Sequence, residues 1–452
     1  MSAAVAESRP ATAAGDGARR ALRRVAIPVL DSSQLFDVEV EDGHFASIRA
    51  VGETAAGAKP AASLWPGYTE CHAHIALPAN FDDSIDEPEL VALQYLYHGV
   101  TQVVDMFGFP LVRQRWQDAA AASWLPYPEV AHCGYAITAM CGYDGKGAHG
   151  TEFPSPVFML GCESDLDTIL EANAKLGASF LKVMFTDGVE QPGSPVKFNR
   201  LSAPLLEALA KAVAARGIPC VLDCNTREEV LLAYRFGFRY FAHAVRDVEL
   251  SDADWANLPG ASFVSTLSGL RPMVMSREEF LDEYGHAGFV QTQDAANLDF
   301  VAGIEQPFGV ARNCFETRTG ALRAMRQNSR AALARGALRV GTDAGNAGGF
   351  HGYSLLAELR LLAERRGRAD VALQTNACLD GRRFFELLAG RAASEPFAVG
   401  AAATFNLFRD ADAATGALPD ETVVRGIAVD RARIAQFIHS RRASATKGKV
   451  SL

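Results

Sequence analysis

Residues 64–75 read LWPGYTECHAHI, a short apolar run that ends on two histidines, and the chain then repeats the theme. TQVVDMFG (101–108), HCGYAIT (132–138), ASFLKVMF (178–185), IPCVLDCN (218–225), RYFAHAV (239–245), ASFVSTLS (261–268) and LRVGTDAG (338–345) are further strand-like runs. Amphipathic segments such as LDTILEANAKLG and SAPLLEALAKAVAARG lie between them, with apolar residues at helical spacing. Eight strand candidates, each followed by room for a helix, predict an α/β chain of the (β/α)8 TIM-barrel type. No G-x-G-x-x-G follows any of these strands, which removes the commonest signature of an open dinucleotide-binding sheet.

The flanks read differently. RVAIPVL, QLFDVEVE and HFASIRAV within 24–51 are strands, and Asp42-Gly43 between the last two is a hairpin signal. TFNLFRD (404–410) and TVVRGIAVD (422–430) are strands with no barrel left to join. Pairing the two ends gives a small β-sandwich domain of 24–63 plus 391–440 beside a barrel of 64–390. Residues 1–23 and 441–452 are expected to be a disordered and a frayed tail.

Composition narrows the function classes. The 452 residues carry 44 Lys plus Arg against 53 Asp plus Glu, a net charge of −9 that argues against a nucleic-acid partner. No apolar run reaches the ~18 residues of a membrane span, and residues 1–20 lack the apolar core of a signal peptide. Eight scattered cysteines without a C-x-x-C suggest reduced thiols in the cytoplasm. Any metal must therefore rest on histidine and carboxylate ligands. The partner expected is a small-molecule substrate, with further copies of the chain left open.

Four strand ends carry the chemistry. His72 and His74, at i and i+2, point the same way at the end of the first strand, where such barrels keep their sites, and two imidazoles there suit a divalent metal. Lys182 sits in an apolar strand that gains nothing from a buried ammonium, unless it snorkels to an edge. His243 alone reads more readily as a satisfied core histidine, and the bland reading of Asp343 is a helix-capping carboxylate in GTDAG. Delivered together to one mouth, these residues describe a metal site.

The constellation resembles the amidohydrolase superfamily. PGYTECHAHI matches its PG-x-x-D-x-H-x-H first-strand motif, FLKVMF its fourth-strand lysine, FAHA its sixth-strand histidine and VGTDAG its eighth-strand aspartate. GTDAGN followed by HGYSLLAELRLLAERRG is similar to the branch of imidazolonepropionases and prolidase-like Xaa-Pro and Xaa-Arg dipeptidases. The resemblance implies His72, His74 and Asp343 on one divalent ion, His243 on a second, and a CO2-derived carbamate on Lys182 between them. Zinc is the expected metal, with manganese or iron as alternatives, and one or two ions per chain.

Three positions depart from the pattern. Glu70 stands for the first-strand aspartate, VGAAATFNLF lacks the C-terminal Asp, and C-V-L-D-C-N-T replaces V-x-V-H-A-H-T, so Asp223 takes the place of a ligand histidine and Asn225 that of the second. The expected function is metal-assisted hydrolysis of a C–N bond in a small amide, peptide-like or cyclic amide substrate, with Asp343 moving the proton. The alternative is a one-metal or non-hydrolytic barrel (lyase, decarboxylase or deaminase type), or a decayed binding protein. Tyr143 and His149 in CGYDGKGAHG, Arg271 and His351 are the candidate substrate contacts.

Overall fold

A computed structural model describes residues 19–53, 60, 62–77, 79, 87–142, 157–187, 198–303, 315–346, 348–363, 369–410 and 413–447. The first four strands are β1 (Arg19–Ile27), β2 (Asp31–Glu41), β3 (His44–Glu53) and β4 (Ser63–Pro66). Then come β5 (Tyr68–Ala73), β6 (Val100–Asp105), β7 (Glu129–His132), β8 (Ala136–Ala139), β9 (Val157–Leu160), β10 (Leu181–Met184), β11 (Cys220–Asp223), β12 (Tyr240–Phe241), β13 (Ser262–Val264) and β14 (Leu338–Arg339). The last three are β15 (Phe405–Phe408), β16 (Glu421–Val424) and β17 (Ile427–Ala428).

Both chain ends build one sheet, in the order β17-β16-β15-β4-β1-β2-β3. The expected two-layer sandwich is instead a single sheet curled over its own core. Its far strands meet where His44 bridges Ala402 and Ala403 N donates to Gly43 O at 2.8 Å. Val38, Phe45, Leu64, Phe405 and Val423 fill the space inside. Asp42 (φ +50°) and Gly43 (φ +79°) form the hairpin between β2 and β3, the conformation that an Asp-Gly pair favours.

Three boundaries shift. Residues 19–23, expected in the tail, belong to β1. Their arginines hide the strand pattern but pair across the sheet, Arg19 with Glu41, Arg20 with Glu421, and Arg23 with Asp37 and Glu39. Residues 64–66 leave the barrel segment for the end sheet, because Pro66 ends β4 and Gly67 packs where any Cβ would meet Thr101 Oγ1 at 2.2 Å. At the C-terminus, residues 431–447 form a helix. Ile434 and Ile438, one turn apart and fully buried, seat it on Leu90, Leu93 and Tyr97 of the Pro88–Tyr97 helix.

The middle of the chain forms parallel ladders β5-β6-β7 and β14-β13-β12-β11-β10-β8-β9. Backbone hydrogen bonds run between these two sheets on both sides. Cys71 N donates to Val340 O (3.1 Å) and His74 N to Ala344 O (2.7 Å), while Ser179 N donates to His132 O (3.0 Å). The run expected at 132–138 splits into β7 and β8, since Gly134 turns the chain at φ +64°. The helices expected over LDTILEANAKLG and SAPLLEALAKAVAARG span Leu166–Lys175 and Ala203–Arg216, the latter closed by Gly217 at φ +61°. Between β13 and β14 stands an insertion of helices, Leu267–Leu270, Arg277–Tyr284, Ala287–Val290, Ala295–Gly303 and Phe315–Ala334, with an aromatic cluster of Phe280, Tyr284, Phe289, Phe350 and Tyr353.

Candidate metal centre

His72 and His74 leave the end of β5 into the space where Asp343 arrives after β14. His74 Nε2 lies 2.8 Å and His72 Nε2 3.2 Å from the same oxygen, Asp343 Oδ1. Asp343 adopts φ +64°, a left-handed conformation that aspartate tolerates better than most residues. One ligand atom from each of the three side chains falls within 4.8 Å of the others.

The supporting contacts fix these groups. His72 Nδ1 donates to Ala242 O at 2.9 Å, so the neutral ring carries its lone pair on Nε2. That Nε2 is buried and has no hydrogen-bond partner. Burial lowers the pKa of both histidines, and for His72 the charge of Lys182 adds to it. Burial works to raise the Asp343 carboxyl, but the two histidines overcome it and hold the group well below the usual carboxylate range. Neutral imidazoles and an ionised carboxylate are the states in which these groups ligate metals.

Glu70 braces the floor. Its carboxylate accepts from His72 N (3.0 Å), Thr342 N (2.9 Å) and Thr342 Oγ1 (2.7 Å), tying β5 to the Asp343 segment. Burial pushes this carboxyl up to about 8. Glu358 does similar work behind Asp343, accepting from Leu267 N and Ser268 N.

A second polar group adjoins the first. Asp223 Oδ2 lies 3.5 Å from Lys182 Nζ and 3.3 Å from His243 Nε2, and His243 Nδ1 bonds Thr266 Oγ1 at 2.8 Å. The His72 and His243 rings are 4.8 Å apart, which joins the two groups. Burial opposes ionisation of Asp223, yet His243 and Lys182 together hold its pKa far down. Asn225 Nδ2 donates to Asp223 Oδ1 at 3.3 Å, and its own oxygen accepts from Arg246. Arg246 makes no ion pair among the described residues, and no sequence motif pointed to it.

The six residues expected at one mouth, His72, His74, Lys182, Asp223, His243 and Asp343, are thus brought together. Of the four expected substrate contacts, two can be placed. Tyr143 and His149 lie outside the described residues. Arg271 is engaged by Glu283 (Nη1–Oε2 3.0 Å). His351 is buried with Nε2 near Leu77 O (3.1 Å) and Nδ1 near Tyr95 Oη (3.0 Å), a tie between segments.

At the sequence level no family model and no curated protein matches the chain. Solved structures do match. A bottromycin amidohydrolase is 20% identical with a TM-score of 0.68, over 96% of this chain and 91% of that one. The chain has the amidohydrolase fold. A prolidase complexed with N-methylphosphonate-L-proline shares that amidohydrolase fold at 16% identity and a TM-score of 0.63, over 92% of this chain and 100% of that one. An Xaa-Pro dipeptidase with bound methionine in its active site does so at 14% and 0.62, over 87% and 94%. Among the described residues, no helix is long and apolar enough to cross a membrane.

Proposed function

We propose that this chain is a metal-dependent hydrolase of C–N bonds, acting on a small amide, peptide-like or cyclic amide substrate from the mouth of a (β/α)8 barrel. The observation that carries the proposal is the convergence of His72, His74 and Asp343, with a buried, unpartnered Nε2 on His72. An orphaned buried nitrogen is costly unless something fills the site, and two imidazoles with a carboxylate are the donor set of a divalent ion. The barrel reading rests on eight parallel strands, β5–β7 and β10–β14, and on the hydrogen bonds that join the two sheets at both sides.

His72, His74 and Asp343 would hold one ion, zinc by donor type. Asp223 and His243 would hold a second, with Lys182, carboxylated by CO2, between them. A divalent ion there supplies Lewis acidity and acidifies a water molecule. The chain's own part is positioning and proton transfer. Both histidine contacts use Asp343 Oδ1, which leaves Oδ2 to take a proton from the attacking water and pass it to the leaving nitrogen. Nitrogen needs that proton, because an amide anion is a very poor leaving group. Seven described cysteines, all free and five of them buried, fit a reducing cytoplasm.

A one-metal or non-hydrolytic barrel is the second reading, and the Lys182–Asp223–His243 contacts favour it, because that trio satisfies its own charges. Elemental analysis of purified protein, with a turnover screen of dipeptides, N-acyl amino acids and cyclic amides, tests the main reading. Stoichiometric metal with release of a free amine supports it; a metal-free, inert protein refutes it.

A further inference from the structure

The exits of β11 and β12 bring together three side chains, of which only one belongs to the expected metal set. Asp223 ends β11, Asn225 follows two places on, and Arg246 leaves β12 in the same segment as His243. The two segments are pinned at the backbone, where Arg246 N donates to Asn225 O at 2.9 Å and Asn225 N to Glu229 Oε2 at 2.8 Å.

The two oxygens of Asp223 have separate duties. Oδ2 faces the metal centre, 3.5 Å from Lys182 Nζ and 3.3 Å from His243 Nε2. Oδ1 accepts from Asn225 Nδ2 at 3.3 Å, and Asn225 Oδ1 accepts in turn from Arg246 Nη2. The neighbours hold the Asn225 amide one way round, since turning it over would set its oxygen against a carboxylate and its NH2 against a guanidinium. Asn225 is 1% exposed, and Arg246 Nε is buried without a hydrogen-bond partner, so water screens this chain of contacts poorly.

A charge count gives Arg246 its purpose. A carboxylate in place of a neutral imidazole adds one buried negative charge, which is costly without a compensating cation. Lys182 balances it as an ammonium, but as a carbamate Lys182 would itself be negative. The Arg246 guanidinium stays charged throughout, and its charge favours the ionised form of Asp223.

We propose that Arg246 is a positioning residue for Asp223. Acting through Asn225, it fixes the carboxylate with Oδ2 toward Lys182 and His243 and balances its charge, so that Asp223, Asn225 and Arg246 work as one unit. The purpose of that unit rests on the proposed function. Its contacts are tested on metal-free protein, where the failure of one reading does not disguise the failure of the other.

The test is a double-mutant cycle by urea unfolding of the full-length, metal-free chain. Arg246→Met should lower the folding equilibrium constant at least about threefold more with Asp223 in place than in an Asp223→Asn background, because members of one hydrogen-bonded charge network couple. Asn225→Ala removes the link and should cut that excess by at least half. Arg246→Lys keeps the charge and a donor, and should recover at least half of the loss; an arginine that only packs would give additive effects. Should Arg246→Met not fold, Arg246→Gln, which keeps a donor for Asn225 and drops the charge, takes its place in the cycle. An excess below threefold, an excess more than half retained after Asn225→Ala, or a recovery of less than half in Arg246→Lys would each overturn the proposal.

Discussion

Lys182 Nζ reaches Asp223 Oδ2 at 3.5 Å although the two are not register partners; Lys182 lies opposite Val221, and Asp223 opposite Met184. The long lysine stem leans two places along the ladder to meet the carboxylate, and both side chains are almost fully buried. Asp223 therefore stands next to the cation where a neutral histidine was the pattern. If it ligates a second ion, Asp223→Ala drops the metal count from two to one per chain. Asp223→His restores two and lowers the pH at which activity rises, because a neutral ligand leaves the bound water more acidic. Inductively coupled plasma analysis of the alanine variant decides this, and an unchanged count ends the two-metal reading.

Lys182→Ala removes the cation and the carbamate carrier together. Turnover should be lost and partly regained with added short-chain carboxylates that occupy the vacated space. Metal-free, the variant should also be less stable, by up to about 3 kcal/mol, since Asp223 loses one buried cation and keeps His243 and Arg246 nearby. Full activity in the alanine variant would rule out the bridging role.

His72→Ala with His74→Ala should abolish tight metal binding while the chain stays folded. The two rings sit at the strand mouth, where function and stability separate, rather than in the apolar clusters. Metal content after gel filtration, beside a far-ultraviolet circular dichroism spectrum, checks both halves. Undiminished metal in the folded double variant would contradict the assignment of these ligands.

Residues with a strand-end position and an unusual chemistry for that position were readable from the sequence: the H-x-H pair, a lysine in an apolar strand, and Asp223 in a histidine's place. Periodicity located the strands because each buries residues on a fixed side. What it missed depends on contacts between distant segments. Residues 64–66 read as a continuation of the strand that carries His72, and pairing with β15 assigns them elsewhere. His351 reads as a mouth residue after GTDAGN, yet Tyr95 and Leu77 from remote segments occupy its ring. Glu70 reads as a departure from a motif, and only the fold reveals its grip on Thr342.

That grip gives a stability prediction. Glu70→Ala leaves the buried His72 N without its side-chain acceptor and Thr342 N with only the longer bond to His72 O at 3.3 Å, and should cost about 2 kcal/mol at ~1–3 kcal/mol per unsatisfied group. Glu70→Gln keeps an acceptor oxygen and resembles the protonated carboxyl, so its loss should be under half of that. Denaturant unfolding of the two variants, metal removed, checks the ordering; equal stability of both with the wild type would show the brace to be idle.

His98 sets an acid limit. It closes the Pro88–Tyr97 helix, with Nδ1 donating to Gln94 O at 2.8 Å and Tyr353 edge-on at 5.9 Å. Burial pushes it down to about 3, so the folded chain holds the ring neutral far below the ~6.5 at which the unfolded chain protonates it. The folded state then binds fewer protons, and the stability this group contributes is complete above pH ~6.5 and is lost as pH falls from there toward 3. Between pH 6.5 and 5 the loss amounts to about 2 kcal/mol, at 1.36 kcal/mol per pH unit. His98→Gln retains a donor for the Gln94 carbonyl and cannot titrate, so its unfolding free energy should fall less steeply over that interval than the wild type's. Urea titrations of metal-free protein at the two pH values measure the difference, and parallel slopes would mean that His98 protonates freely in the folded chain.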